Sequence, residues 1–241
     1  MTKPMTIPMS RTRARPVVAF IPPSCCGAGY FRRLRRALSD QVDARAVELP
    51  GHGRRYAEPY LLSAELAVAD VRSQLGGPVD AVYGESLGAY IGLAVAAAQG
   101  GGRGRGPTLI AASNSPPLAQ RDVDTADLDT VEAAVATLAA MGGEVPAEVL
   151  TDPAVASGAH QLIRSDLLLS QSFINATRDL VIPGDLHVLG GESDGSLLEP
   201  NAWARHSTGS CTVRLLPGGH LLSAANPRGV AAAVLTLLAD V

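Results

Sequence analysis

Two serines in this chain of 241 residues sit at the centre of a Gly-x-Ser-x-Gly pattern, Gly84-Glu85-Ser86-Leu87-Gly88 and Gly191-Glu192-Ser193-Asp194-Gly195. A serine flanked in this way can act as a nucleophile in acyl transfer, because the glycines permit the sharp strand-to-helix turn that lifts the hydroxyl clear of a sheet. The pattern occurs twice, so context must choose. Ser86 follows the apolar run VDAVY and opens straight into AYIGLAVAAAQ, which reads as strand, turn and helix. That setting places Ser86 at a helix N-terminus, where the amide of Leu87 faces a developing oxyanion. Ser193 also follows a strand, but it leads into SLLEPNAW, where Pro200 disfavours an immediate long helix. It reads as part of an acid-bearing loop. The adjacent Cys25 and Cys26 are the other candidate nucleophiles, and no base is evident beside them.

Positioning these groups requires a sheet. Short β-rich runs, VVAFIP, ARAVELP, VDAVYG, TLIAASNS, LHVLGG and TVRLLPGG, alternate with Ala/Leu-rich stretches. The alternation predicts a parallel sheet flanked by helices. Apolar residues at three- and four-residue spacings predict helices over 30–39, 63–76, 87–99, 198–207 and 223–239. Residues 1–15 mix Pro, Ser, Thr and Arg without periodicity and read as an arm ahead of one domain spanning 16–241. The interval of about 116–183 carries helical patterns such as TVEAAVATLAAM and HQLIRSDLLLSQSFINAT but no strand pattern. A helical insertion after the strand near 108–115 is expected to form a lid over a site at the carboxyl ends of the strands.

A serine nucleophile needs a base, and the chain holds five histidines. In a strand–elbow–helix enzyme the order along the chain is Ser, acid, His, with the base on a loop after the last strand. His220 fits, since it follows TVRLLPGG and precedes Ser223, which reads as an N-cap, and a C-terminal helix. His52, in the turn PGHGRR, reads as a loop residue; His187 and His206 read as structural. The acid belongs on the loop after LHVLGG, where Asp194 competes with Glu192 and with Asp185 at the strand's other end. Asp194 is favoured because it stands at the loop tip. A second oxyanion donor is expected from the loop after the first strand, where Pro22 and Pro23 have no N–H and Ser24 is the first residue able to donate.

Composition narrows the classes. A chain that is 46% hydrophobic and 18% charged can bury a large core, and a net charge of −3 gives no global pull toward nucleic acid or anionic membranes. No apolar run approaches the ~18 residues of a membrane span, and the first residues lack the apolar core of a signal peptide, so a cytoplasmic protein is expected. Three cysteines, two of them adjacent, are expected to be reduced thiols, because a bridge between neighbours is badly strained.

Four segments carry a likeness to a known family. They are the first strand and loop with Tyr30-Phe31-Arg32-Arg33, the block VELPGHGRR, the elbow Gly84 to Gly88 with Ala89, and Trp203, Gly209-Ser210 and Pro217-Gly218-Gly219-His220. Leu162-Ile163-Arg164-Ser165-Asp166 is similar to the family's Leu-Arg-Ala-Asp stretch. From about Pro16 to Leu238 the chain resembles the type II thioesterases of polyketide and nonribosomal-peptide pathways, free-standing α/β-hydrolases that clear acyl groups from carrier proteins. The resemblance implies Ser86, Asp194 and His220 as the triad, no metal or redox cofactor, and as transient partner an acyl or peptidyl carrier protein bearing the acyl chain on phosphopantetheine. Two places depart from the family pattern. Glu85 stands where the family usually has His, either raising the basicity of His220 or facing outward into a polar pocket. Ile21 to Cys26 replaces Phe-Pro-Tyr-Ala-Gly-Gly, so that Cys25 and Cys26 occupy two flexible glycine positions and can alter the oxyanion loop. Arg32, Arg33, Arg35, Arg36, Arg54 and Arg55 either steer an acidic carrier or are plain surface arginines. A same-fold esterase, cyclase or acyltransferase, and a non-catalytic synthase partner, are the alternatives.

Overall fold

The computed structural model describes residues 14–100, 106–126 and 128–239. Of the arm expected over 1–15, only Ala14 and Arg15 fall among the described residues, and both are exposed. The strands are β1 (Val17–Ile21), β2 (Asp43–Ala46), β3 (Ala81–Glu85), β4 (Thr108–Ala112), β5 (Leu186–Gly191) and β6 (Cys211–Leu216), one for each run read from the sequence. All pair in parallel, in the order β2-β1-β3-β4-β5-β6. The α-helices are α1 (Arg32–Leu38), α2 (Ala64–Leu75), α3 (Leu87–Gln99), α4 (Val131–Ala140), α5 (Ala147–Thr151), α6 (Pro153–Thr177), α7 (Leu222–Ala225) and α8 (Pro227–Leu238). The fold is that of the α/β-hydrolases.

The central strands are near-continuous apolar runs because a parallel sheet covered on both faces buries both sets of alternating side chains. Val18 and Phe20 of β1 share a core with Leu34 of α1 and with Val230 and Val234 of α8. Ala19 and Ile21 share the opposite core with Val71 of α2, Leu93 of α3 and Phe173 of α6. From β1 the chain first adds β2 on one side and then returns to add β3 on the other. Connections therefore run in opposite directions from β1 and β3, and the crevice at their carboxyl ends is where ligands bind in open α/β sheets. Among the described residues, the interval between β4 and β5 holds α4, α5 and α6 and no strand. None of the described helices is long and apolar enough to cross a membrane.

Three expectations are corrected. Residues 198–207 do not form an α-helix; Pro200–His206 winds as a 3₁₀ helix. With three residues per turn, positions i and i+3 eclipse, which puts Trp203 and His206 on the same buried side with ring centroids 5.5 Å apart. The helix expected over 30–39 starts as a 3₁₀ turn, Ala28–Phe31, and becomes α-helical only at Arg32. The helix expected over 223–239 is broken at Asn226-Pro227 into α7 and α8, since the residue before a proline is pushed out of the α region. Ser223 is accordingly not an N-cap. Asn226 caps α8 instead, its side-chain oxygen accepting from Gly229 N–H at 3.0 Å.

Loss of this cap gives a first test. Asn226→Ala is expected to lower the unfolding free energy by ~1 kcal/mol, measured by urea denaturation.

Candidate active site

The site is built where β3 meets α3. Ser86 has φ 54° and ψ −122°, a sparsely populated conformation for a residue with a side chain. Backbone contact on both sides of the turn imposes it: a Cβ on Gly84 would overlap the Gly88 carbonyl, and one on Gly88 would overlap the Ile21 carbonyl. Glycines thus let the ends of β3 and β1 and the first turn of α3 touch. The amide of Ser86 donates to Ala112 O at 2.9 Å, and its carbonyl accepts from Asn114 Nδ2 at 2.7 Å. Asn114 is in turn fixed by Trp203, whose indole N–H donates to its carbonyl at 2.8 Å.

His220, on the loop after β6, brings Nε2 to 3.0 Å from Ser86 Oγ. With its proton on Nδ1, the ring donates to Asp194 Oδ2 at 3.1 Å and is free to accept the serine proton at Nε2. Asp194 lies on the turn after β5. Burial by itself would push its carboxyl up, but hydrogen bonds from His220 and from Ser196 outweigh that and hold it below the ordinary carboxylate range. The structure thus brings together Ser86, Asp194 and His220 from three loops. It leaves the competitors apart: Ser193 is exposed and donates to Gly218 O, and Asp185 accepts from the Ser210 amide and hydroxyl at the far end of β5.

Some participants escaped the sequence reading. Ser196 Oγ donates to Asp194 Oδ1 at 2.6 Å and lies 3.0 Å from His220 Nδ1. Its place two residues after the acid, in the same tight turn, was the available signal. Gly142, in the turn after α4, has φ +89° and sits directly on the imidazole: a Cβ there would fall 2.5 Å from His220 Nδ1. The helical insertion therefore touches the base. Beside Ser86 opens a cavity of about 890 Å³, lined on the core side by Leu87 and Tyr90 and on the insertion side by Met141, Val145, Val149 and Ile163. It presents an apolar chamber leading to the serine.

Glu85 neither points outward nor meets solvent. It is fully buried, with Tyr30 O–H donating to it at 2.6 Å, Tyr83 O–H at 3.1 Å, the Ser223 amide at 3.2 Å, and the Ser223 hydroxyl at short range. Burial raises its carboxyl above the usual range, and these donors offset that only in part. The carboxylate ties the elbow to the segment just after His220. Cys25 and Cys26 are poor nucleophile candidates: burial, reinforced by nearby carboxylates, raises both thiols, Cys26 to about 12.

His52 lies in a turn, as expected, but it is buried. Its Nδ1 is 3.0 Å from Pro50 O and its Nε2 is 3.0 Å from Asp166 Oδ2 of α6. The arginine clusters divide. Arg32 and Arg35 line a hollow with Arg15 and Asp43, at the amino ends of β1 and β2, the far end of the sheet from Ser86. Arg55 is taken up internally by Asp70, Glu58 and the Glu48 carbonyl.

The sequence profile described as "Thioesterase domain" matches residues 16–237. The chain belongs to the thioesterase-domain family. The thioesterase is thus a hydrolase acting on thioesters. Comparison of its sequence with curated proteins finds no match. Its fold is similar to that of ClbQ from the colibactin NRPS/PKS pathway, at 21% identity and TM-score 0.80 over 94% of this chain and 98% of that one. RedJ, the thioesterase of the prodiginine biosynthetic pathway in Streptomyces coelicolor, gives 23% identity and TM-score 0.74 over 97% and 91%. The type II thioesterase BorB from the borrelidin biosynthetic cluster gives 26% and 0.71 over 95% and 93%.

Two outcomes are expected. Gly142→Ala, whose methyl meets His220 and Ser196, should lower kcat by about 10-fold or more with the fold retained, read by steady-state kinetics and circular dichroism. Burial lowers the affinity of His52 for a proton, but the hydrogen bond and charge of Asp166 outweigh it, leaving the pKa raised above the ordinary value. A raised histidine stabilises fully below its unfolded pKa of ~6.5, and that contribution is lost as pH climbs through the folded value. The stability advantage of the wild type over His52→Gln, from urea denaturation, should therefore be largest below pH ~6.5 and shrink on the alkaline side.

Proposed function

We propose that this thioesterase is a type II enzyme of polyketide or nonribosomal-peptide biosynthesis, acting in the cytoplasm to hydrolyse acyl groups from the phosphopantetheine arm of an acyl or peptidyl carrier protein. The observation that carries the reading is the Ser86–His220–Asp194 chain of hydrogen bonds opening onto an apolar chamber. Support for the pathway comes from ClbQ, whose description names an NRPS/PKS pathway, and for the type II class from BorB, which is described as a type II thioesterase.

In the proposed course, His220 Nε2 takes the Ser86 proton as Oγ attacks the thioester carbonyl. Asp194, with Ser196, orients the ring and stabilises the imidazolium. The oxyanion is held by the amides of Leu87 and Ser24. The tetrahedral adduct collapses with loss of the pantetheine thiolate, which receives the proton from His220. Water, deprotonated by the same imidazole, then attacks acyl-Ser86; a second adduct releases the carboxylic acid and returns the proton to Ser86. The steps use side chains and water only. The segment of 116–183 acts as the lid of the chamber. Arg54, its side chain 90% exposed beside the loop after β1, is the member of the predicted clusters best placed to meet an acidic carrier.

A carrier protein loaded with a medium-length acyl chain should be hydrolysed by the wild type and not by Ser86→Ala, with kcat reduced by about 10³-fold or more. Mass spectrometry of the carrier and the released product reads the result. Cyclised or transferred product in place of free acid would replace hydrolysis with the acyltransfer alternative. Failure of a fluorophosphonate to label Ser86 would favour a non-catalytic partner.

A further inference from the structure

The loop that supplies Ser24 contains a conformation its sequence does not favour. Cys26 N–H donates to Pro23 O at 3.3 Å, closing a turn whose third residue, Cys25, has φ +62°. A turn with positive φ at that position ordinarily takes glycine, and a residue with a Cβ pays roughly 1 kcal/mol or more to sit there. Such strain persists only where surrounding structure enforces it. Here the restraint comes from 141 residues further along the chain: Cys25 N–H donates to Asp166 Oδ2 at 2.6 Å. Asp166 is 2% exposed and projects from α6, and the same oxygen accepts from His52 Nε2 at 3.0 Å.

We propose that Asp166 is a positioning residue for the oxyanion-binding loop: by accepting the Cys25 N–H it holds the Pro23–Cys26 turn in its positive-φ form against α6, and so keeps the Ser24 amide, carried by the preceding peptide of the same turn, in place for the oxyanion on acyl-Ser86. The proposal rests on the reading of Ser86 as nucleophile and of Ser24 as an oxyanion donor. The alternative orientation of the Ser24–Cys25 peptide would relieve the positive φ, but it would turn the Ser24 carbonyl toward the Asp166 carboxylate and the Cys25 N–H away from it. The carboxylate thus selects one of two loop states. Because α6 also lines the chamber through Leu162 and Ile163, the helix that covers the acyl group is the helix that sets the oxyanion loop. Catalytic geometry is then complete only with α6 seated.

The test compares Asp166→Ala, the double variant Cys25→Gly/Asp166→Ala and wild type, with thermal unfolding followed in parallel. Asp166→Ala should lose about 10- to 100-fold in kcat with KM changed less than about 3-fold, as for a displaced oxyanion donor. An alkyl boronic acid, which forms a tetrahedral adduct on the serine, should lose affinity in the same proportion. The added Cys25→Gly should recover about 10-fold of both, because glycine adopts positive φ unaided, whereas it restores neither the buried carboxylate nor the His52 contact. A folded Asp166→Ala with wild-type kcat and boronate affinity, or a double variant no better than the single one, overturns the proposal. If Asp166→Ala does not fold, Asp166→Asn, which removes the charge and weakens the bond, is read in the same way. Boronate affinity does not depend on the acyl donor. A wild type that binds boronate but hydrolyses no thioester refutes the proposed function, and the Asp166 comparison still decides this one.

Discussion

The contact on which the rest depends is the three-way backbone approach at Gly84, Gly88 and Ile21. Because no Cβ intervenes, the first turn of α3 packs against the final carbonyl of β1, and Ser86 is forced into its unusual φ,ψ at the apex. The same contact brings the loop after β1 alongside Ser86, so that Ser24, distant in sequence, lines the same cavity. The turns after β5 and β6 supply the other two members of the triad. A sheet whose strand order turns back at β1 and β3 places all these carboxyl ends along one crevice.

Around that crevice, buried carboxylates act as cross-ties. Glu85 joins the elbow to Tyr30 and to the segment after His220, Asp166 joins α6 to the loop after β1, and Glu48 accepts the Ala28 amide at 2.7 Å. Each collects more than one donor, and these hydrogen bonds stand in for those otherwise made to water, at Glu85 only in part. Loops that carry chemistry are thereby held as firmly as elements of the sheet. Glu85 accomplishes at the elbow what an imidazole at that position cannot: it accepts from four donors at once.

The four central strands were legible as short apolar runs, since both faces of a parallel sheet are covered there, and β2 and β6, at the two edges, through their place in the alternation of strand and helix segments. The hydrogen-bonded arrangement of Ser86, His220 and Asp194 was legible through chain order, which separated Ser86 from Ser193 where the glycine pattern could not. What escaped is of two kinds. Local periodicity does not distinguish an α-helix from the 3₁₀ winding that drops Trp203 and His206 together, and the break at Pro227 was hidden by the apolar repeat on either side of it. The second kind is pairing at a distance. Glu85, Asp166 and His52 were visible as charged or titratable residues, but their partners lie 55, 141 and 114 residues away, and nothing in the neighbouring sequence announces them.

The chain contains a single tryptophan, Trp203, and the structure wires it to the nucleophile through one residue: indole to Asn114, and Asn114 to the Ser86 carbonyl. Its ring also lies tilted against that of Tyr90, a wall of the cavity beside Ser86, with centroids 6.5 Å apart. The protein therefore carries a built-in optical reporter. Its intrinsic fluorescence arises from one site, without background from other indoles, and that site is one residue removed from the chamber, through Tyr90, and from the backbone of the elbow, through Asn114. A molecule seated in the chamber or a rearrangement of the elbow would each reach the same chromophore through a single neighbour.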